Sequence, residues 1–204
     1  MPSDSQREFL ERASRKYHDE ITPEGVEYLT GRGITEEAIG QWRLGVVSDP
    51  LPGHERYRGW LSIPYLTKHG IVTIRYRRLS GTGDKYLTMP GDIPRIFNPS
   101  ALEAGTRGIC VTEGELDCIV AQMCDLPCIG LPGATSWQPV WAYLLEQYDQ
   151  VMLLQDADDA GEKMAAALAK PLRTNLRPVV MTGGDVNSYF QAHGREALRT
   201  KVLG

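Results

Sequence analysis

From Gly108 to the C-terminus, this 204-residue chain alternates short apolar runs with amphipathic stretches, a rhythm that few folds accommodate. The runs at 108–112, 127–131, 149–155 and 177–181 are short and bounded by turn residues, so they read as buried strands. The stretches 115–124, 136–147, 159–171, 185–192 and 194–202 read as helices, with a Pro-Gly turn before the second. Strands covered on both sides and joined by helices form a mainly parallel sheet with helices on both faces, an α/β fold. In such sheets, binding and reacting groups gather beyond the carboxyl ends of the strands.

Acidic residues occupy those ends. Glu113-Gly114-Glu115-Leu116-Asp117 follows the first strand, Asp156-Ala157-Asp158-Asp159-Ala160-Gly161 follows the third, and Gly183-Gly184-Asp185-Val186-Asn187 follows the fourth. Carboxylates gathered this way repel one another, and a divalent cation such as Mg²⁺ relieves the repulsion. This many acids suits two or three ions rather than one, an arrangement used for metal-assisted phosphoryl chemistry. The candidate catalytic residues are Glu113, Asp156 and Asp158. The candidate metal ligands are the same three with Asp117 and Asp185. Glu113 is also placed to serve as a general acid or base. Glu115 and Asp117 near a helix N-terminus meet the helix dipole favourably, and Asp159 reads as a cap, so helix stabilisation is the competing reading for these acids.

The first half is organised differently. Residues 6–17 read as a helix. Thr22 caps a second helix with Pro23 in its first turn, Gly31 and Gly33 end it, and Thr35 starts a short third. Residues 59–79 read as a β-hairpin with strands at 60–65 and 71–78 and a turn at Lys68-His69-Gly70. Strand alternation places Ile71, Thr73, Arg75 and Arg77 on one face, so two arginines stand together. The loop Ser80-Gly81-Thr82-Gly83-Asp84-Lys85-Tyr86 has glycines that let a ligand approach the backbone. Between His54 and Arg95 there are eight basic and three acidic residues, a net excess of five positive charges. From Thr106 onward eight basic residues face twelve acidic ones, a net excess of four negative charges. A basic segment that attracts phosphates, alongside an acidic one that holds cations, suits an enzyme acting on polyanions. The expected division is a helical and hairpin subdomain at 1–105 and the α/β domain at 106–204.

Several function classes drop out. No run approaches the roughly 18 apolar residues of a membrane span. No basic-then-apolar leader follows Met1, so a cytoplasmic setting is expected. Cys124 and Cys128 are four apart, but zinc sites generally pair two such half-motifs, so all four cysteines read as reduced thiols and no zinc is expected. The histidines form no ligand-like cluster, and the Gly-x-x-x-x-Gly-Lys-Ser/Thr loop of NTPase motors does not occur.

The ordered pair Thr112-Glu113-Gly114-Glu115-Leu116-Asp117 and Asp156-Ala157-Asp158-Asp159-Ala160-Gly161 resembles the Toprim domain of primases, topoisomerases and some nucleases. The first half resembles the start of a bacterial-type (DnaG-like) primase catalytic core. The similar segments are Tyr28-Leu29-Thr30-Gly31-Arg32-Gly33, Trp42-Arg43-Leu44-Gly45, the hairpin through Arg77-Arg78, Asp84-Lys85-Tyr86-Leu87 and Phe97-Asn98. The resemblance covers nearly the whole chain and looks like a minimal, phage- or plasmid-type version.

It implies synthesis of short RNA primers from ribonucleoside triphosphates on single-stranded DNA, with Mg²⁺ or Mn²⁺. It also implies template or nucleotide contacts by Arg75, Arg77, Arg78, Lys85 and Tyr86. Asn187 stands where the family's third motif often carries a second acid. The family's N-terminal zinc ribbon and helicase-binding region have no counterpart in the sequence, so a replicative helicase and a separate zinc-ribbon protein are expected partners. A Toprim nuclease and an accessory subunit of a split primase are the alternatives.

Overall fold

The computed structural model describes residues 2–133, 136–172 and 174–204. The chain forms two compact units, 1–93 and 94–204. The division falls about a dozen residues before the expected boundary, because the connecting segment is bound to the second unit. Phe97 forms an antiparallel bridge with Gly130, and the Asn98 amide donates to the Cys128 carbonyl (2.8 Å). Ile96 and Ala101 also join the second core.

In the first unit, helix α1 (Asp4–Asp19), α2 (Pro23–Thr30) and α3 (Glu36–Gln41) precede an antiparallel sheet of order β1-β2-β3-β4. Its strands are β1 (Gly45–Val46), β2 (Leu61–Thr67), β3 (Gly70–Arg77) and β4 (Tyr86–Leu87). Ser3, Thr22 and Thr35 cap the three helices, each accepting a hydrogen bond from a first-turn amide, and Pro23 opens α2 at a position that needs no N–H. The hairpin turn closes at Gly70, whose φ of 94° favours glycine. Leu10, Ala13 and Tyr17 of α1 pack on Ile71, Ile74 and Tyr76 of β3, with Tyr57 and Trp60 completing the core. Tyr57 stacks on Tyr76 with ring centroids 3.8 Å apart.

His54 is fully buried among these rings, and its Nδ1 lies 2.8 Å from the Tyr17 hydroxyl and 3.1 Å from that of Tyr76. Burial pushes its pKa down, so the neutral ring serves as a core hydrogen-bonding group.

In the second unit, four parallel strands lie in the order β6-β5-β7-β8: β5 (Gly108–Thr112), β6 (Cys128–Gly130), β7 (Gln150–Asp156) and β8 (Leu176–Met181). One face carries Ile109, Val111, Val151 and Leu153 beneath α5 (Ala142–Leu145) and α6 (Asp159–Ala169), which contribute Ala142, Leu145, Met164 and Leu168. The other face carries α4 (Glu115–Met123) and α7 (Val186–Leu203), which pack on each other. This is the sheet with helices on both faces that the alternation implies. The expected helix at 136–147 is instead a 3₁₀ turn at Pro139–Trp141 followed by the short α5. Pro139 lacks the N–H that a continuous helix would use at that point. The two expected C-terminal helices run on as α7 with a break at Gly194, whose φ of 80° is outside helical space. The four cysteines are free and buried, and burial pushes the Cys110 and Cys128 thiols well up. Among the described residues no helix is long and apolar enough to cross a membrane.

Gly45 shows how tightly the first unit is packed. A Cβ there would lie 2.3 Å from the Tyr17 backbone. Gly45→Ala is therefore expected to push α1 away from β1 and cost about 1–3 kcal/mol, measurable as a lower midpoint in urea followed by tryptophan fluorescence.

Candidate active site

The carboxylates of the second unit are assembled by strand ends and helix starts. β5 ends at Thr112 and Glu113 follows it directly. The Thr112 hydroxyl donates to the Gly114 carbonyl (3.0 Å), and the Gly133 amide donates to the Glu113 carbonyl (3.2 Å), which fixes the turn into α4. Glu115 and Asp117 lie in the first turn of α4, and both are buried. β7 ends with Asp156, level with Met181 of β8. The Ala157 amide donates to the Gly184 carbonyl (2.8 Å), joining the loop after β7 to the loop after β8.

Two of the acids start helices. Asp158, not Asp159, caps α6, because its Oδ1 accepts from the amides of Ala160 (3.0 Å) and Gly161 (2.9 Å). Its extended backbone (φ −145°, ψ 176°) turns the side chain back over the first turn, whereas Asp159 is already helical. Asp185 caps α7, with Oδ1 accepting from the Ser188 amide (2.8 Å) and hydroxyl (2.7 Å). The two helix starts direct their positive ends toward the acids. Gly161 makes the first of these arrangements possible. A Cβ there would meet the Asp156 carbonyl oxygen at 2.2 Å, so α6 can begin over β7 only with glycine at that position.

The electrostatic centre is Asp156. Its pKa is pushed up to about 8, first by burial and then by the negative charges of Asp117, Glu113, Asp185 and Asp158. The structure thus brings the other four candidate metal ligands within electrostatic reach of Asp156. Among the described residues, no three of the His, Cys, Asp or Glu side chains form a ready-made metal cage. That arrangement fits Mg²⁺ or Mn²⁺ chemistry, in which one or two carboxylates hold an ion and waters or substrate phosphates complete its shell. The oxygen-only donors and the charge surplus on Asp156 are what a hard divalent cation would relieve.

Sequence reasoning missed two residues here. Asn187 has its main-chain N–H and its amide Nδ2 both donating to Asp117 Oδ1, at 3.2 and 2.8 Å. The Asp-x-Asn spacing was its signal, although read only as a lost acid. Gly161 belongs to the acidic motif but had no assigned task.

The basic candidates lie in the first unit, and the structure separates them. Arg77 is only 5% exposed. Its Nε donates to the Tyr28 hydroxyl (2.6 Å) and its Nη1 to the Tyr86 hydroxyl, and it lies over both rings. Arg75, half-buried, lies over the Tyr86 ring, 4.3 Å from its centroid. Arg78 lies over Trp60 and donates to the Asp84 carbonyl (3.0 Å), bracing the glycine-rich loop. Lys85 is exposed. Arg75 and Arg77 therefore share one face around Tyr86, as alternation predicts, while Arg78 belongs to the other.

This fold, a Toprim-like sheet preceded by a helical and hairpin unit, is that of DnaG-type primase catalytic cores, and comparison with known proteins agrees. The Toprim-like family matches residues 110–190. The gene 57 protein of Mycobacterium phage D29 is 41% identical over 152 residues, covering 72% of this chain and 99% of its own. The RNA polymerase domain of Mycobacterium tuberculosis primase DnaG superposes with a TM-score of 0.79 at 18% identity, covering 100% of this chain and 84% of that one. A DnaG primase catalytic domain bound to single-stranded DNA gives 0.75 at 18% identity, covering 98% and 80%. The chain belongs to the family of the mycobacteriophage gene 57 protein; it carries a Toprim-like segment and has the fold of DnaG-type primase catalytic cores.

The raised Asp156 carboxyl has a consequence for stability. In the unfolded chain it ionises near its ordinary value of 3.8, so between that pH and about 8 the native state holds a proton that the unfolded state releases. Native stability is then greatest at the acid end of this window and falls as pH rises through it. Urea midpoints in the presence of a chelator are expected to decline from pH 5 to pH 8, and Asp156→Asn is expected to remove most of that slope.

Proposed function

We propose that this chain is a primase core that synthesises short RNA primers from ribonucleoside triphosphates on single-stranded DNA. The observation that carries the proposal is the convergence of four carboxylates on Asp156 within a DnaG-type fold. A bound Mg²⁺ or Mn²⁺ would supply charge neutralisation at the α-phosphate and at the departing pyrophosphate. Glu113, Asp156 and Asp158 would hold that cation, with Asp117 and Asp185 supporting it or a further one. The caps at Asp158 and Asp185 leave those side chains little rotational freedom, so the donors are held in place before substrate arrives.

The first unit supplies the cations for the polyanion. Arg75 and exposed Lys85 would attract template phosphates or the triphosphate. Arg77 would act by holding Tyr86, whose ring would stack against a base, and Arg78 by bracing the loop that carries Lys85. The DnaG catalytic domain similar to this chain was solved with single-stranded DNA, which supports the same class of template here.

The test is incorporation of labelled ribonucleotides on single-stranded DNA with Mg²⁺ or Mn²⁺. Asp156→Ala is expected to lower primer synthesis by at least about a hundredfold, the scale on which lost charge stabilisation acts. Lys85→Ala is expected to weaken template binding and reduce its salt dependence by about one released counterion. Shortened DNA with no labelled product would identify a phosphodiester-cleaving enzyme instead.

A further inference from the structure

We infer that Asn187 is a positioning residue that sets the Asp117 carboxylate for cation binding, an assignment that rests on the cation reading proposed above. Both residues are buried, Asp117 at 8% and Asn187 at 2% exposure, and they come from different helices, α4 and α7. Asp117 Oδ1 receives two hydrogen bonds from this one residue, through main-chain N–H and Nδ2–H. The main-chain N–H lies in the first turn of α7, where no helical partner exists, so Asp117 acts as a cap supplied by another helix. The side-chain amide has only one useful orientation, because a carboxylate accepts from Nδ2 and has nothing to donate to Oδ1. Asn187 Oδ1 is consequently turned elsewhere, buried and without a hydrogen-bond partner.

Two consequences follow from a neutral amide at this position. Two donors from one residue hold the Asp117 side chain at a fixed angle, in the way that outer partners orient the ligands of a metal site. The contact also meets buried Asp117 with a neutral donor and adds no further negative charge to the acids already near it. An aspartate at 187 would place an acceptor where the donor now stands, and two buried carboxylates would meet. The third motif of this chain therefore contributes one acid, Asp185, together with a neutral arm that aligns an acid of the first motif.

The experiment is Mn²⁺ binding to the whole chain, by electron paramagnetic resonance or calorimetry, without nucleotide or template, alongside thermal melts in chelator and in Mn²⁺. Asn187→Ala is expected to remain folded and to bind Mn²⁺ about tenfold more weakly. Asn187→Asp is expected to melt below wild type in chelator and to gain more from Mn²⁺ than wild type does. Equal Mn²⁺ affinity for folded Asn187→Ala and wild type overturns the inference while leaving the cation reading intact. If Asn187→Ala does not fold, Asn187→Asp decides: a melting temperature in chelator at or above wild type overturns the inference. Wild type that binds no Mn²⁺ removes the cation reading, and this inference with it.

Discussion

Mutual repulsion around Asp156 is the constraint on which the second unit is built. Four carboxylates press on Asp156, and of the five only Asp158 is exposed. The protein moderates the repulsion with backbone dipoles. Asp158 and Asp185 each take two hydrogen bonds at a helix start, and Asp117 takes the amide of Asn187 at the start of α7. Three of the five charges are therefore met by N–H groups that a helix would otherwise leave unsatisfied. Asp156 is the acid on which the others press, and its carboxyl pKa is pushed up to about 8.

Concentration on one group has a chemical use. A site in which every acid was fully paired would have little affinity for a cation. A site in which none was paired would not stay folded. The caps settle three of the outer acids, and on the proposed cation reading an added positive charge would satisfy the central one. Gly161 belongs to the same solution, since α6 must begin almost on top of the Asp156 carbonyl for Asp158 to cap it while standing beside Asp156. The Asp-x-Asp-x-x-Gly spacing is thus a single steric and electrostatic unit.

Much of this was legible in the sequence because strand and helix periodicities are local. The four strands of the parallel sheet, the acids at their ends and the pairing of Arg75 with Arg77 all follow from counting residues along the chain. The failures were of two kinds. The segment 136–147 has helical composition, but Pro139 breaks its hydrogen bonding and two short turns replace the helix. The other failures were long-range. Residues 117 and 187 are seventy positions apart, and no periodicity announces that an amide at one will seat a carboxylate at the other. The same holds for Tyr28 and Arg77, forty-nine positions apart, whose contact turns an arginine of the basic face into a buried framework group.

That last contact changes how the positive charge of the first unit is counted. The excess of five charges between His54 and Arg95 treats every cation as equally available to a polyanion. The guanidinium of Arg77 is enclosed by two phenols, and its charge is spent on orienting them. Arg78 is committed to a carbonyl and an indole face. Counterion release depends on cations that reach phosphates, so Lys85 and the outer part of Arg75 carry more of that term than the formal charge implies. The enclosed arginines instead give the surface its shape, holding the Tyr86 ring and the glycine-rich loop where a flexible tip would otherwise be. On the proposed reading, affinity for a strand would come from a few exposed charges on a rigid platform rather than from a broad basic field.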